Sequence, residues 1–214
     1  MLLRETFPAG AFQCNCTVIA DGTTKDAIVI DPGGETDRIR EVISHYDLTL
    51  RAIVHTHGHV DHIHATRDVK EAHGGVIRLH KADLFLYDGI AMQAAMFGFK
   101  VRPVLPVDSF FEDGDVIPFG KQSALVIHAP GHTPGSVCFD VRDADERRPL
   151  LFSGDTLFCR SIGRTDLPGG DQVQIVRSIR ERLYTLDPDT LVIPGHGPNT
   201  TVGEEAKKNP FVRA

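Results

Sequence analysis

Apolar positions fall into short runs broken by turn residues, interleaved with stretches at helical spacing. Residues 12–20 and 27–30 read as two strands joined by a turn at Asp21-Gly22. Ala27-Ile28-Val29-Ile30 is a continuous apolar run, the pattern of a strand covered on both faces, and it stops at Asp31-Pro32-Gly33-Gly34. Ile39, Val42, Ile43 and Tyr46 then recur at helical spacing, with Thr36 or Asp37 as cap. Arg51-Ala52-Ile53-Val54 ends a further strand, a short helix covers 65–73, Gly74-Gly75 ends it, and Val76–Leu79 is a strand again. Residues 81–97 look helical and apolar, either as core or as one wall of a cleft. The turn-rich stretch 100–120 marks the midpoint of the fold. Strands resume at 124–128, 137–141 and 150–152; Asp171 caps a helix carrying Val173, Val176, Ile179 and Leu183; Leu191-Val192-Ile193 is the last strand. The polar tail, 199–214, reads as a short helix or arm. The two halves echo each other as strand, polar loop, helix, strand, polar loop.

The strand at 51–54 delivers His-Thr-His-Gly-His-Val-Asp-His-Ile-His, residues 55 to 64, which holds five of the eleven histidines. A strand-to-helix loop lets rigid elements aim side chains into a cleft. Neutral imidazole is the commonest biological metal ligand, and carboxylate complements it. His57 and His59 are two apart and point the same way on an extended backbone, whereas Asp61 and His62 are adjacent and diverge. Two neighbouring metals therefore suit this loop better than one. Ligand types recur at three later strand ends, each flanked by Gly or Pro: His132, Asp155 and His196. His45, His55, His64, His73 and His80 read as ordinary core or surface histidines.

Composition narrows the picture. A chain of 214 residues suits one domain, 1–214. The formal charge of −6 and the scattered Lys and Arg argue against a nucleic-acid surface. No window of about 18 apolar residues exists, so no membrane span is expected. The N-terminus lacks the apolar core of a signal peptide. Cys14 and Cys16 are too close for the usual zinc spacing and fall on one strand face, which suits burial. Together these features predict a cytoplasmic protein.

Thr56-His57-Gly58-His59-Val60-Asp61-His62, with the later His132, Asp155 and His196, resembles the metallo-β-lactamase superfamily over essentially the whole chain. That resemblance implies an α/β fold of αββα type, two mixed sheets packed together with helices on the outer faces. It implies two divalent metal ions, zinc first with iron or manganese as alternatives. His57, His59 and His132 would bind one and Asp61, His62 and His196 the other, with Asp155 bridging and Asp31 orienting a ligand from behind. The full histidine–aspartate set is similar to the glyoxalase II branch. Residues 163–171 and the ending around Thr200–Glu205 and Asn209-Pro210-Phe211 look like its short enzymes, which lack the C-terminal helical domain of the longer ones.

The implied activity is hydrolysis of S-2-hydroxyacylglutathione thioesters such as S-lactoylglutathione, in methylglyoxal detoxification, with Asp61 and Asp155 catalytic. The partner is a small-molecule glutathione conjugate, without nucleic acid or membrane, and the protein a monomer or small homo-oligomer. Arg164 is the cation expected to meet a substrate carboxylate; a structural pair with Asp166 or Asp171 is the rival role. Asp166 and Pro198 depart from the longer enzymes, which place an aromatic and a tyrosine there, and predict weaker glutathione binding. Two further readings stand beside this one: a persulfide dioxygenase holding a single iron on two His and one Asp, and a hydrolase of another ester or lactone.

Overall fold

The computed structural model describes residues 1–142 and 148–213. The first half runs β1 (Leu2–Ala9), β2 (Cys14–Asp21), β3 (Asp26–Ile30), α1 (Thr36–His45), β4 (Thr49–Val54), α2 (Val60–Ile63), α3 (Thr66–His73), β5 (Val76–His80), a 3-10 turn (Lys81–Asp83), α4 (Leu84–Asp88), α5 (Ile90–Met96) and β6 (Ser109–Phe111). The second half runs β7 (Val116–Phe119), β8 (Gln122–His128), β9 (Val137–Val141), β10 (Leu150–Gly154), β11 (Leu157–Phe158), β12 (Ser161–Ile162), α6 (Gln172–Ser178), a π-helical turn (Ile179–Leu183), β13 (Leu191–Pro194), β14 (Thr200–Thr201) and α7 (Val202–Lys208).

Two mixed six-stranded sheets form, ordered β1-β2-β3-β4-β5-β6 and β14-β13-β10-β9-β8-β7. The chain changes sheet between β6 and β7, inside the stretch expected as the midpoint. Alternation along each strand splits the core into layers. Ile28, Ile30 and Val54 meet Phe119, Val126 and Phe139 between the sheets. Val29 and Ile53 face the other way, against Ile39, Val42 and Val69 of the first outer helix layer. Leu151 and Val192 pack on Ile175, Ile179 and Leu183 of the second. This is the expected αββα sandwich.

Several details differ from the pattern-based reading. β1 escapes it because six of its eight residues are partly or fully solvated, as suits an edge strand paired on one side. Residues 60–63 are helical rather than loop, with His62 N–H bonded to the His59 carbonyl (3.0 Å). Residues 81–97 break at Asp88-Gly89 into two helices. The N-cap of α1 is Glu35 in a left-handed conformation, in place of Thr36 or Asp37, and no side chain caps it. Asp171 does cap α6, accepting from Gln174 N–H (2.9 Å). The tail is a helix capped by Thr201. Its Glu205 is fully buried, bonded to Arg160 Nη1 (2.7 Å) and Thr200 Oγ1 (2.6 Å), which fastens the tail to the loop after β11.

Strand ends of both sheets meet along one edge. Val137 N–H donates to the Thr56 carbonyl (2.8 Å), Gly195 N–H to Gly154 (2.7 Å) and Asn15 N–H to Gly195 (2.7 Å). The loops carrying Asp31, His57 to His62, His132, Asp155 and His196 converge there.

Candidate metal centre

The seven predicted ligand residues lie together and fall into overlapping groups. His57, His59 and His132 form one, Asp61, His62 and His196 another, and Asp155 joins His57 and His62 in a third. Asp155 faces both sides: Oδ2 lies 3.6 Å from His132 Nε2, and Oδ1 lies 3.3 Å from His62 Nε2 and 3.8 Å from His196 Nε2. Asp61 Oδ2 is 3.1 Å from His196 Nε2.

The tautomers of four histidines follow from what holds their other nitrogen. His62 Nδ1 donates to Asp31 Oδ2 (3.0 Å), His132 Nδ1 to the Arg164 carbonyl (2.7 Å) and His196 Nδ1 to the Phe12 carbonyl (3.0 Å). Thr56 Oγ1 donates to Asp31 Oδ2 (2.6 Å), so it accepts from His57 Nδ1 (3.1 Å). Each contact fixes the proton on Nδ1 and leaves the Nε2 lone pair aimed inward, as a metal ligand requires. Asp31 therefore orders both groups at once. His59 differs, with Nδ1 3.0 Å from His132 Nε2.

Electrostatics favour the same use. Burial, with the neighbouring imidazoles, holds His57 well below its ordinary range and His59 at about 4, so both are neutral lone-pair donors near pH 7. His62 runs the other way: burial opposes its charge, but Cys14, Asp155, Asp61 and Asp31 outweigh it and raise its pKa, so this position attracts positive charge, which a metal ion supplies in place of the ring's second proton. Asp155 is lowered: burial resists its charge, yet His62, His132 and His196 prevail. This is a compact cluster of opposite charges in a site of low dielectric. His57 Nε2 and Asp155 Oδ1 are buried with no hydrogen-bond partner among the described residues, an expensive arrangement that a cation between them relieves. The donor set, imidazole nitrogen and carboxylate oxygen, suits divalent zinc or iron.

Glycine is obligatory at two approaches. A Cβ on Gly195 would sit 2.1 Å from Asp155 Oδ1, and one on Gly33 would sit 1.7 Å from the Asp61 carbonyl oxygen.

Other contributors had no signal in the sequence. Asp83 is fully buried and accepts from Gly58 N–H (2.9 Å), Thr133 Oγ1 (2.7 Å) and Gly135 N–H (2.6 Å), tying the His57–His59 loop to the His132 loop. Asn15 Nδ2 donates to the carbonyls of Pro194 (2.9 Å) and Gly197 (3.0 Å), framing His196. Cys14 is buried as expected, and its Sγ also lies 3.4 Å from His62 Nδ1. His45, His55, His64, His73 and His80 belong to none of the ligand groups; His55 is a core histidine bonded to Thr66 Oγ1 (3.2 Å).

A cleft of about 480 Å³ opens over the cluster, floored by His59, Asp61, His132, Asp155 and His196. Of the two roles read for residues 81–97, both occur: Leu86, Ile90 and Ala94 are core, while Phe85, Met92, Met96 and Phe97 line the cleft. Arg164 reaches its rim, where Nε and Nη2 each meet an Asp166 carboxylate oxygen at 2.7 Å, with the side chain largely exposed. No described helix is long and apolar enough to cross a membrane.

Comparison with known proteins agrees with this geometry. The sequence profile of the metallo-beta-lactamase superfamily matches residues 9–196. An uncharacterized protein of Mycobacterium tuberculosis is 41% identical over 99% of this chain and 98% of its own length. Hydroxyacylglutathione hydrolase GloC of Haemophilus influenzae is 38% identical over 98% of both chains. The probable metallo-hydrolase YqgX of Bacillus subtilis is 39% identical over 96% of this chain and 95% of its own. Among solved structures, BLEG-1 B3 metallo-beta-lactamase superposes with TM-score 0.88 at 33% identity, covering 99% of this chain and all of its own. TTHA1623 in a di-iron-bound form gives 0.85 at 39%, covering 97% and 100%. ETHE1 from Myxococcus xanthus gives 0.79 at 27%, covering 97% and 83%.

Proposed function

The chain belongs to the metallo-beta-lactamase superfamily and is a metallo-hydrolase, and from that premise we propose that it cleaves thioesters, with S-2-hydroxyacylglutathione as substrate. The observation that carries the reading is the convergence of seven ligand side chains into two groups that share Asp155 on the floor of an open cleft. The near full-length likeness to GloC supports the glutathione conjugate.

In this reading His57, His59 and His132 would hold one ion, and Asp61, His62 and His196 the other, with Asp155 within reach of both groups. Such a pair lowers the pKa of water towards ~7 and polarises a carbonyl. Zinc is the proposed metal; the di-iron-bound form of TTHA1623 makes iron the alternative that metal analysis separates. The protein's own part is preorganisation. Asp31, through His62 directly and His57 by way of Thr56, keeps two imidazoles aligned. The Phe12 and Arg164 carbonyls do the same for His196 and His132. The apolar walls limit bulk water around the reacting carbonyl.

Overall, water adds to the acyl carbon and the carbon–sulfur bond breaks. Sulfur leaves with the bonding pair, and the products are a carboxylate, a thiol and one proton. A thiolate, with a conjugate-acid pKa near ~8.5, departs without a general acid. An amide nitrogen would need a proton donor, and among the described residues lining the cleft the histidines and carboxylates that could serve all belong to the expected ligand set. This asymmetry favours thioesters over lactams.

Metal-loaded protein should hydrolyse S-lactoylglutathione and carry more than one equivalent of metal. Arg164→Ala should mainly raise KM for that substrate and do much less to a small neutral thioester; equal losses would assign Arg164 to its pair with Asp166 alone. The persulfide dioxygenase reading would use one iron on two His and one Asp, and leaves most of the second group without a task. Oxygen uptake with glutathione persulfide on iron-loaded protein, without thioester cleavage, would replace the hydrolase with it.

A further inference from the structure

Two parts of the cleft differ in charge, although Phe85, Leu167 and Pro168 add apolar surface beside the Arg164 loop as well. At one end Phe12 gives its carbonyl to His196 Nδ1 (3.0 Å) and sets its ring edge-on to Phe97, centroids 4.8 Å apart. Met96 and Met92 continue this wall, 71% and 73% exposed. At the other end Arg164 gives its carbonyl to His132 Nδ1 (2.7 Å) and holds its guanidinium at the rim. Arg164 is the one Arg or Lys among the described residues lining the cleft.

A contiguous apolar wall left in water marks a binding surface, and this one adjoins the ligand cluster itself. The volume of about 480 Å³ lies within the range of small-molecule sites. Resting on the thioester-hydrolase reading, we propose that the Phe12–Phe97–Met96 end is an acyl subsite for a large apolar substituent, aryl or unbranched alkyl. The charged thiol portion then extends towards Arg164. Charge gives this direction: Arg164, once it exchanges its Asp166 partner, is the lining cation that the carboxylates of a glutathione portion can meet, and the described residues of the Phe12–Phe97 end offer none. A lactoyl methyl leaves most of the wall uncovered, whereas a phenyl or pentyl group covers it. The methionines, flexible and polarizable, adapt to more than one shape, so the subsite accepts a family of acyl groups.

The test compares S-mandeloylglutathione with S-lactoylglutathione on metal-loaded protein, two 2-hydroxyacyl thioesters that differ in phenyl against methyl. The kcat/KM ratio should favour mandeloyl by about tenfold or more. In Met92→Ser/Met96→Ser the ratio should fall to within about twofold of one; both side chains are exposed, and thermal melting verifies the fold. Calorimetry supplies a readout without turnover: S-hexylglutathione should bind about tenfold or more tighter than S-methylglutathione. Lactoyl cleavage with no mandeloyl preference and equal thioether affinities would overturn the subsite while the hydrolase reading stands. A ratio unchanged in the double variant would also overturn it. Cleavage of neither thioester would remove the hydrolase reading and the subsite with it.

Discussion

At Asp31 the backbone takes φ 50°, a left-handed conformation that costs most residues energy and that Asp and Asn tolerate best. The position places one carboxylate beneath both ligand groups, with Oδ1 accepting from Thr56 N–H (2.7 Å) and Oδ2 from Thr56 Oγ1 and His62 Nδ1. Asp31→Asn preserves shape and backbone preference, but in either orientation its amide NH2 meets a donor. Metal affinity or turnover should fall about 10–100-fold with the fold intact. Metal titration alongside steady-state kinetics decides it; unchanged values would reduce Asp31 to a turn residue.

Between elements, Asp83 at the end of the 3-10 turn is the tie that holds two ligand loops in register. Among the described residues it forms no ion pair; it accepts from three donors in a buried place. Asp83→Ala leaves two backbone N–H groups without acceptors, each costing about 1–3 kcal/mol, while the Thr133 hydroxyl keeps Ser136 Oγ at 2.8 Å. Urea unfolding should show roughly 3 kcal/mol or more of destabilisation. A loss under about 1 kcal/mol would mean that water replaces the carboxylate and that the loops hold without it. The Phe12 turn between β1 and β2 plays a similar part for His196, so a hairpin that binds no metal positions a ligand by its backbone.

Over the whole molecule, the sheets are joined at two ends. One join is the metal centre. The other lies at the far end of β2, where Asp21 accepts from Thr23 N–H (2.8 Å) and from Lys121 N–H (2.7 Å) in the β7–β8 turn. Those backbone hydrogen bonds, Lys121 foremost, lower its pKa from 3.8 to about 2. A depressed carboxylate contributes stability that is complete above its ordinary value and lost as pH falls through the folded one. Acid should therefore weaken the fold between roughly pH 4 and 2, and Asp21→Asn should flatten that slope in urea midpoints taken across the range. An unaltered slope would assign the acid sensitivity to other carboxylates. At the opposite join, stripping metal removes a ligand bound to the native state alone. At 100 times Kd that binding is worth about 2.7 kcal/mol, or about 5–10 °C in Tm for a chain of this size. Melting of chelated, reloaded and untreated protein measures it, and identical curves would argue against structural coupling.

The order of strands and helices was legible because burial marks the chain: an unbroken apolar run from Ala27 to Ile30 for a strand covered on both faces, and a spacing of three to four for Ile39, Val42 and Ile43. The candidate ligands stood out because histidine and aspartate at Gly- and Pro-flanked strand ends have few structural uses, and the structure brings all seven together. β1 was not legible, since an edge strand half in solvent carries a diluted pattern. Nor were Asp83, Asn15 and the Phe12 carbonyl, which act through hydrogen bonds to residues distant in sequence; an aspartate in a turn looks the same whether or not a second loop folds over it. The double service of Asp31 and the apolar end of the cleft belong to the same class. Sequence determined which chemical groups the protein owns and the elements that carry them. Tertiary structure decided which lone pairs point inward and which methionines line the cleft, because those follow from distances between segments that no local pattern encodes.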